Sequence, residues 1–396
     1  MNFFQEFYLL EILSYFLLQF SGKKGFEMTQ LLSETYLDYS DILIKPKMGI
    51  NLNSRKDVIL QKEFKFKHGQ TRTGLGVMNA NMATVGNFAT AKKLLAKGMF
   101  ATLHKHYSVD EIGAFLKQCA QENVSIDNLF ITIGLKNADE QLAKLKELET
   151  KYGWVEPRNI CIDAPNFYVP KALDMLEQAR KNFPDAVIMV GNIASGDMCL
   201  KLLDNADIIK CGIGSGSACL TRKQTGCGVP MVSLILECAD IAHSVNGHIC
   251  ADGGIVDVGD ICKAFCLNSD FVMIGGMFAG TDEAEGEIIK KQYTTSELLD
   301  NKPVIQIKQF KQYYGMSSEY ANNKFAGGMC NYKTSEGREL LIPYTGSLDK
   351  ILQDITGGIA SCCTYIGASK IKYMPKCATI IKVHNQLNKV FEKYSV

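Results

Sequence analysis

The sequence predicts an α/β protein, a (β/α)8 TIM barrel with an active-site flap inserted after its eighth strand. Three observations predict it. Short β-rich apolar runs alternate with longer stretches of helical spacing, an order that requires parallel strands. The runs number eight, the count that closes a barrel. Polar and glycine residues gather directly after the runs, where this fold carries its active site.

The runs are, in order, Leu75–Asn79, Phe100–His104, Leu129–Ile133, Ile160–Ile162, Val187–Val190, Ile208–Cys211, His248–Ala251 and Phe271–Ile274. Helical spacing follows most of them, as in Lys171–Asn182 and Val232–Ser244. The strand-end residues include Asn81-Met82, Lys105-His106, Asp163, Gly191-Asn192, Gly212–Arg222, Asp252-Gly253-Gly254 and Gly275-Gly276. Residues 277–345 are polar, rich in Gly, Lys, Tyr and Ser, and lack clear periodicity. Irregular segments longer than about 15 residues are usually functional lids or disordered. The segment is therefore expected to be an irregular flap at the rim that closes over a ligand. A helix over Leu348–Cys363 resumes the fold. The barrel is set at 36–385, with an N-terminal extension over 1–35 and a tail over 386–396.

The 396 residues are 46% hydrophobic and 21% charged, with a net charge of +1. Near-neutrality excludes nucleic acid or an anionic membrane as the main partner and leaves room for a small anionic ligand. The 14 cysteines are scattered and form no CxxC pair. That pattern suits a reduced, cytoplasmic protein in which most thiols are small buried apolar groups. Residues 1–20 are apolar but carry Glu6 and Glu11, and they lack a basic start and a small-residue cleavage site. They read as neither a signal peptide nor a membrane span. Met28 would serve as initiator as well as Met1.

The segment richest in chemistry is Lys210-Cys-Gly-Ile-Gly-Ser-Gly-Ser-Ala-Cys-Leu-Thr-Arg222, continuing to Thr225-Gly-Cys-Gly-Val-Pro230. Glycines at 212, 214 and 216 let such a loop turn its carbonyls toward a cation or its amides toward a phosphate. Cys219 sits on it beside Thr221 and Arg222, and a thiol near a cation or a helix start gains thiolate character. Read alone, the loop is equally a turn with an inert thiol. Asp252 at a strand end can hold two ribose hydroxyls, with Gly253 and Gly254 permitting close approach. Gly275-Gly276 follow strand eight, where the fold commonly binds phosphate. Each of these is also a frequent turn pattern.

Together these residues resemble a known family. Gly212–Pro230, Ala251–Gly254 and Asp270–Gly280 are similar to the inosine-monophosphate dehydrogenase and GMP reductase family. Tyr314–Glu319, Tyr332–Gly337, Asp354–Gly358 and Ser361–Ala368 resemble its reductase branch. The likeness covers about 36–385. No insertion of regulatory-domain size interrupts strands two and three, and the arginine–tyrosine pair of the dehydrogenase flap is not apparent. The resemblance implies NADPH-dependent reductive deamination of GMP to IMP. The alternatives are an IMP dehydrogenase or a catalytically weak nucleotide-binding homologue.

The resemblance also implies roles for individual residues. Cys219 would attack C2 of guanine, giving a thioimidate, while Thr221 and Glu319 relay protons to the departing ammonia. Nucleotide contacts would come from Ser217, Asp252, Gly253, Gly254, Gly275, Gly276, Gly315, Met316, Ser317, Lys333, Ser335, Glu336 and Gly337. Dinucleotide contacts would come from Ser54, Arg55, Lys105, Asp163, Ala164, Pro165, Ile213, Gly214, Met316, Tyr332, Lys333, Ser361, Cys362, Cys363 and Thr364. Carbonyls of Gly214, Gly216, Cys219 and Arg222 would hold a potassium ion. A homotetramer is implied.

The sequence departs from the family pattern at several positions. Ala83 stands where an aspartate is usual, Pro165 where a small residue is usual, Phe167 for a glycine and Lys333 for arginine. Ser215 replaces a proline and Leu220 a threonine, and Gln292–Gln309 is longer than expected. Ala83, Pro165, Phe167 and Lys333 are expected on the cofactor side, which predicts weakened NADPH affinity. His104 and His106 are expected to be satisfied strand-end histidines.

Overall fold

The computed structural model describes residues 29, 31–47, 52–68, 70–154, 158–299, 302–328 and 334–384. By contacts the chain divides into two compact units, Met1–Thr35 and Tyr36–Val396, and the barrel belongs to the second. The expectations for residues 1–20, Met28 and 386–396, and those for Tyr332 and Lys333, lie outside the described residues.

Eight parallel strands form one sheet. They are β1 (Val77–Asn79), β2 (Ala101–Leu103), β3 (Leu129–Ile133), β4 (Asn159–Asp163), β5 (Val187–Ile193), β6 (Ile208–Cys211), β7 (His248–Asp252) and β8 (Phe271–Ile274). Their spatial order is β1-β8-β7-β6-β5-β4-β3-β2. The predicted runs coincide with these strands to within two residues at each end, apart from the C-terminal extension of β5. Both faces of the strands are covered, so β3 is buried at every position and reads as an unbroken apolar run.

The seam between β1 and β2 closes the barrel. Phe100 N–H donates to Val77 O at 3.0 Å. Beside it the buried Asn79 side chain takes the place of a ladder. Its Oδ1 accepts from Thr102 N–H at 3.0 Å and its Nδ2 donates to Thr102 O at 2.7 Å.

The layer outside the strands comprises α1 (Phe88–Ala96), α2 (Val109–Gln121), α3 (Ala138–Tyr152), α4 (Pro170–Asn182), α5 (Gly196–Leu202), α6 (Met231–Ser244), α7 (Val258–Cys266) and α8 (Leu348–Ile366). Local chemistry sets their ends. Asn87, Ser108, Asp257 and Ser347 accept first-turn N–H groups of α1, α2, α7 and α8. Gly153 and Gly367 end α3 and α8 in the left-handed conformation, which costs glycine nothing.

A hairpin of Lys62–Lys65 and Thr71–Gly74 plugs the N-terminal end of the barrel. Its Phe64 stacks on Phe271 with ring centroids 4.4 Å apart. Nearby the buried Asp270 carboxylate meets Lys62 at 2.6 Å, His243 at 2.8 Å and His248 at 3.1 Å. Burial pushes its pKa up, but His248 and Lys62 outweigh this and hold it below the usual range.

The inserted segment corrects the sequence expectation, because it is regular rather than irregular. Ile289–Leu299, Lys302–Tyr314 and Glu339–Pro343 form a three-stranded antiparallel sheet. A lid helix spans Glu319–Ala326, capped by Ser318 and ended by Gly327. Most of the long hairpin is solvated on both faces, with Ile305 and Ile307 about 60% exposed. Main-chain bonds hold it, so no inside–outside alternation marks it in the sequence. The extra length at 292–309 is the body of this hairpin.

Candidate active site

The loops at the C-terminal ends of the strands surround a cleft that opens to solvent. The glycine-rich loop after β6 forms one wall. Gly212 at φ +144 passes so close to the Asp252 carbonyl that any side chain would collide with it. Ser215 Oγ donates to that same carbonyl at 2.8 Å. The loop then carries Cys219, half-buried, into the cleft, ahead of a short helix over Thr221–Thr225.

The return of the lid toward the barrel is stitched to this loop. Leu220 N–H donates to Glu336 O at 2.6 Å, and Arg338 N–H to Ala218 O at 3.0 Å. Cys219 and Gly337 form an isolated antiparallel bridge. A Cβ on Gly337 would sit 2.6 Å from Ser318 N, and one on Gly315 2.7 Å from Ala218 O. Glycine at both positions is what lets three chain segments meet.

This meeting assembles a continuous donor chain. The Cys219 thiol donates to Thr221 Oγ1 at 3.2 Å, and the Thr221 hydroxyl donates to Glu336 Oε2 at 2.7 Å. The expectation that Glu319 partners Thr221 is corrected here. Glu319 is exposed at the start of the lid helix, immediately after the Ser318 cap. Its carboxylate is where the helix dipole favours one. Glu336, expected only as a nucleotide contact, is the carboxylate that accepts from Thr221. Its approach depends on pairing between segments more than a hundred residues apart, which no local pattern announces.

A charged network floors the cleft. Lys210 Nζ lies 2.9 Å from Asp163 Oδ1 and 3.0 Å from Asp252 Oδ2, and Lys105 Nζ lies 3.3 Å from Asp163 Oδ2. Asn192 Nδ2 adds a hydrogen bond to Asp252 Oδ2 at 2.8 Å. Burial raises the Asp163 pKa, but the Lys210 and Lys105 ammoniums outweigh it and leave it well below the usual carboxylate range. Burial lowers that of Lys210, and its two carboxylates more than reverse this. Lys210 and Asn192 carry no role that the sequence alone suggests. The available signal was a lysine inside the apolar strand Ile208–Cys211.

The other expected residues divide by place. Asp163, Ala164, Pro165, Ile213, Gly214, Gly216, Asp252, Gly315, Met316 and Ser317 line the cleft with Cys219, Thr221, Glu336 and Gly337. Ser217, Gly253, Gly275, Gly276 and Ser335 lie where the strand-end loops and the lid crowd together, and Gly254 lies against Tyr39 and Met231. A Cβ on Gly276 would sit 3.2 Å from Ser217 Oγ, and one on Gly253 2.9 Å from Gly216 N. Ser335 Oγ donates to Gly337 O at 2.8 Å. Arg222 is pinned by its Nη2 donating to Val229 O at 2.7 Å, beneath Gly214 and Gly228.

Ser54 and Arg55 are elsewhere. They open a capped 3-10 turn that packs on α8, the helix carrying Ser361, Cys362, Cys363 and Thr364. Helix α8 starts at the rim and descends the barrel. At 1.5 Å per residue, Ser361 lies about 20 Å below its start. These six residues therefore do not face the cleft of their own chain.

Two departures from the family pattern also prove not to face the cleft. Phe167 is fully buried in the core. Ala83 is buried against Tyr314 and Ala321, with Met316 and Phe325 packed around them. Ala83 is part of the seat for the lid helix. That seat extends to Phe325, stacked on His106 with centroids 4.0 Å apart, and to His104 stacked on Tyr107 at 3.9 Å. Burial, then His106 and Lys144, push the His104 pKa down to about 3.

The sequence profile of the IMP dehydrogenase / GMP reductase domain matches residues 36–389. The chain is 41% identical to a GMP reductase of Caenorhabditis elegans, over 93% of this chain and 98% of that one. It is 42% identical to a GMP reductase of Vibrio parahaemolyticus, over 91% and 98%. It is 40% identical to GMP reductase 2 of Homo sapiens, over 92% and 99%. A barrel with a half-buried thiol at its mouth, matched over residues 36–389 and by relatives across more than 90% of its length, places the chain in the IMP dehydrogenase / GMP reductase family.

Proposed function

We propose that the protein is a GMP reductase, converting GMP to IMP with consumption of NADPH and release of ammonia. The observation that carries this is the unbroken chain from the Cys219 thiol through the Thr221 hydroxyl to the Glu336 carboxylate. Asp252 meets the ribose hydroxyls. Ser217, Gly253, Gly254, Gly275 and Gly276 give the phosphate a floor of small residues and backbone amides. Gly315, Met316, Ser317, Ser335 and Gly337 bring the lid over the base.

The relay takes the Cys219 proton through Thr221 to Glu336, so the sulfur can bond to C2 of guanine. The same path then returns a proton to the 2-amino group, because an amine leaves only once protonated. Loss of ammonia leaves the purine joined to sulfur as a thioimidate, and one hard displacement has become two easier ones. NADPH, when bound, supplies the hydride that C2 requires. Cys219 then leaves as thiolate and IMP is freed. The whole consumes GMP, NADPH and two protons and yields IMP, NADP+ and ammonium.

The cleft suits a nicotinamide. Ala164, Pro165, Ile213, Gly214 and Met316 provide apolar and small walls, and Lys105 provides a cation at the edge. Arg55, exposed on its turn, suits a phosphate. A homotetramer in which one copy's surface reaches another copy's cleft would bring the Ser54-Arg55 and Ser361–Thr364 surface to the cleft residues. Exposed Ile305 and Ile307 offer apolar area for such contacts.

A potassium ion fits the loop. The Gly216 and Arg222 carbonyls each accept one backbone N–H, at 2.9 and 3.2 Å, and keep a second lone pair. With Gly214 and Cys219 they would hold the ion and steady the loop that carries the thiol. The described cysteines are all free thiols, the state of a reducing compartment such as the cytoplasm. Residues 1–35 and 386–396 are read as an extension and a tail outside the catalytic unit.

The test is GMP with NADPH, followed by nicotinamide absorbance and ammonia, alongside intact mass for a Cys219–purine adduct. Turnover that vanishes in Cys219→Ala is expected. Turnover of IMP with NAD instead would favour a dehydrogenase. Binding without ammonia would favour a homologue that no longer catalyses.

A further inference from the structure

Helices α7 and α8 are neighbours in the outer layer. Each runs antiparallel to the barrel strands, so they run parallel to each other. They touch where Val258 meets Gly358, since a Cβ on Gly358 would collide with Val258 Cγ1. From that point each helix presents its next turn four residues on. Cys262 follows Val258, and Cys362 follows Gly358. The register is visible in Cys262 Sγ, 3.8 Å from Gly358 O on the opposite helix. One further turn along α7 is Cys266. Cys362 thus faces two thiols at once, within S–H···S reach of both.

We propose that Cys362, Cys262 and Cys266 form an oxidant-sensitive site, at which a peroxide converts Cys362 and one of the two α7 thiols into a disulfide. The three groups differ in a way that suits the reaction. Cys362 is half-buried and open to a small oxidant, whereas Cys262 and Cys266 are each 5% exposed. The two buried S–H groups donate toward Cys362 and hold its pKa well below the ordinary thiol value, while theirs are raised. A thiolate with resolving thiols beside it is the arrangement of redox-sensing cysteines.

The Cys362 thiolate attacks one peroxide oxygen and the O–O bond breaks. Sulfur is oxidised to the sulfenic acid, and the released hydroxide takes up a proton to leave as water. The neighbouring thiol then attacks the sulfenic sulfur. The S–O bond breaks, a second water departs with the thiol's proton, and the S–S bond remains. Two thiols are oxidised and one peroxide is reduced to two waters. The bridge would clamp α7 to α8 one turn beyond the Val258–Gly358 contact. The inference uses only these thiols and holds whatever the cleft turns over.

The test treats the full chain with hydrogen peroxide, quenches with catalase, blocks free thiols with N-ethylmaleimide and maps tryptic peptides by mass. Lys263 lies between Cys262 and Cys266, so trypsin reveals which partner is used. A Cys362–Cys262 or Cys362–Cys266 link that dithiothreitol reverses is expected. In the combined Cys262→Ala and Cys266→Ala variant, which lacks both donors and both resolving thiols, the link should be lost and Cys362 should react with peroxide more slowly than in the parent. If that variant does not fold, Cys262→Ser and Cys266→Ser taken singly should each shift the link to the remaining thiol. Cys362 recovered fully alkylated after the exposed Cys227 has oxidised would overturn the proposal. So would zinc that copurifies with the protein and is lost in Cys362→Ser.

Discussion

The Thr221 hydroxyl stands between the Cys219 sulfur, 3.2 Å away, and a Glu336 carboxylate oxygen, 2.7 Å away. A hydroxyl that accepts from one and donates to the other passes a proton without moving either heavy atom. Glu336→Gln removes the proton acceptor yet keeps the shape. It should lower kcat by about 100-fold or more, in the range typical of general acid–base groups. Glu319→Gln should leave turnover unchanged. Steady-state NADPH oxidation compares the two, and the reverse ranking would restore Glu319 to the relay.

Lys210 balances two carboxylates from a position 3% exposed. Lys210→Met leaves Asp252 without a cation and Asp163 with Lys105 alone. The expected loss is about 3–5 kcal/mol of stability. Urea unfolding measures it. A loss below about 1 kcal/mol, the scale of an exposed ion pair, would show that solvent already screens the network.

Ala83 seats the lid helix against Tyr314, Ala321 and Phe325. Ala83→Asp installs the acid more usual in the family but buries it among apolar groups. It should therefore undock the lid rather than improve cofactor binding. Faster proteolytic cleavage within Glu319–Ala326 and a raised KM for NADPH are expected. A lowered KM with unchanged cleavage would return Ala83 to the cofactor side.

His104 fixes a pH dependence. Its Nδ1 accepts from His106 N–H at 3.1 Å, and burial, then His106 and Lys144, lower its folded pKa to about 3. The unfolded chain has the ordinary value near 6.5, so between the two it binds more protons than the folded state. The stability from neutral His104 is complete above about pH 6.5 and declines as pH falls toward 3. His104→Phe keeps the ring on Tyr107 and removes the titration. Urea midpoints across this range should fall less steeply for the variant than for the parent, and equal slopes would discount His104.

The strands were legible because each is buried on both faces, and an unbroken apolar run bounded by polar strand ends survives in one dimension. Leu129–Ile133 is the clearest case, with matching boundaries in sequence and structure. The lid sheet left no such mark, because Ile305 and Ile307 point to solvent where a buried strand would hide them. Phe167 looked like a change at a ligand contact, but burial shows that it fills the core.

By itself the sequence determined the eightfold βα order and the loop that carries Cys219 and Thr221. Both depend on residues adjacent in the chain or on periodicity along it. Only the tertiary structure decided that Glu336 rather than Glu319 meets Thr221, that Lys210 lies between Asp163 and Asp252, and that Cys362 faces α7. Each is a distance of a few ångströms between groups tens to hundreds of residues apart. Such distances are set by closure of the barrel and the return path of the lid, through packing and main-chain pairing that act over the whole fold at once.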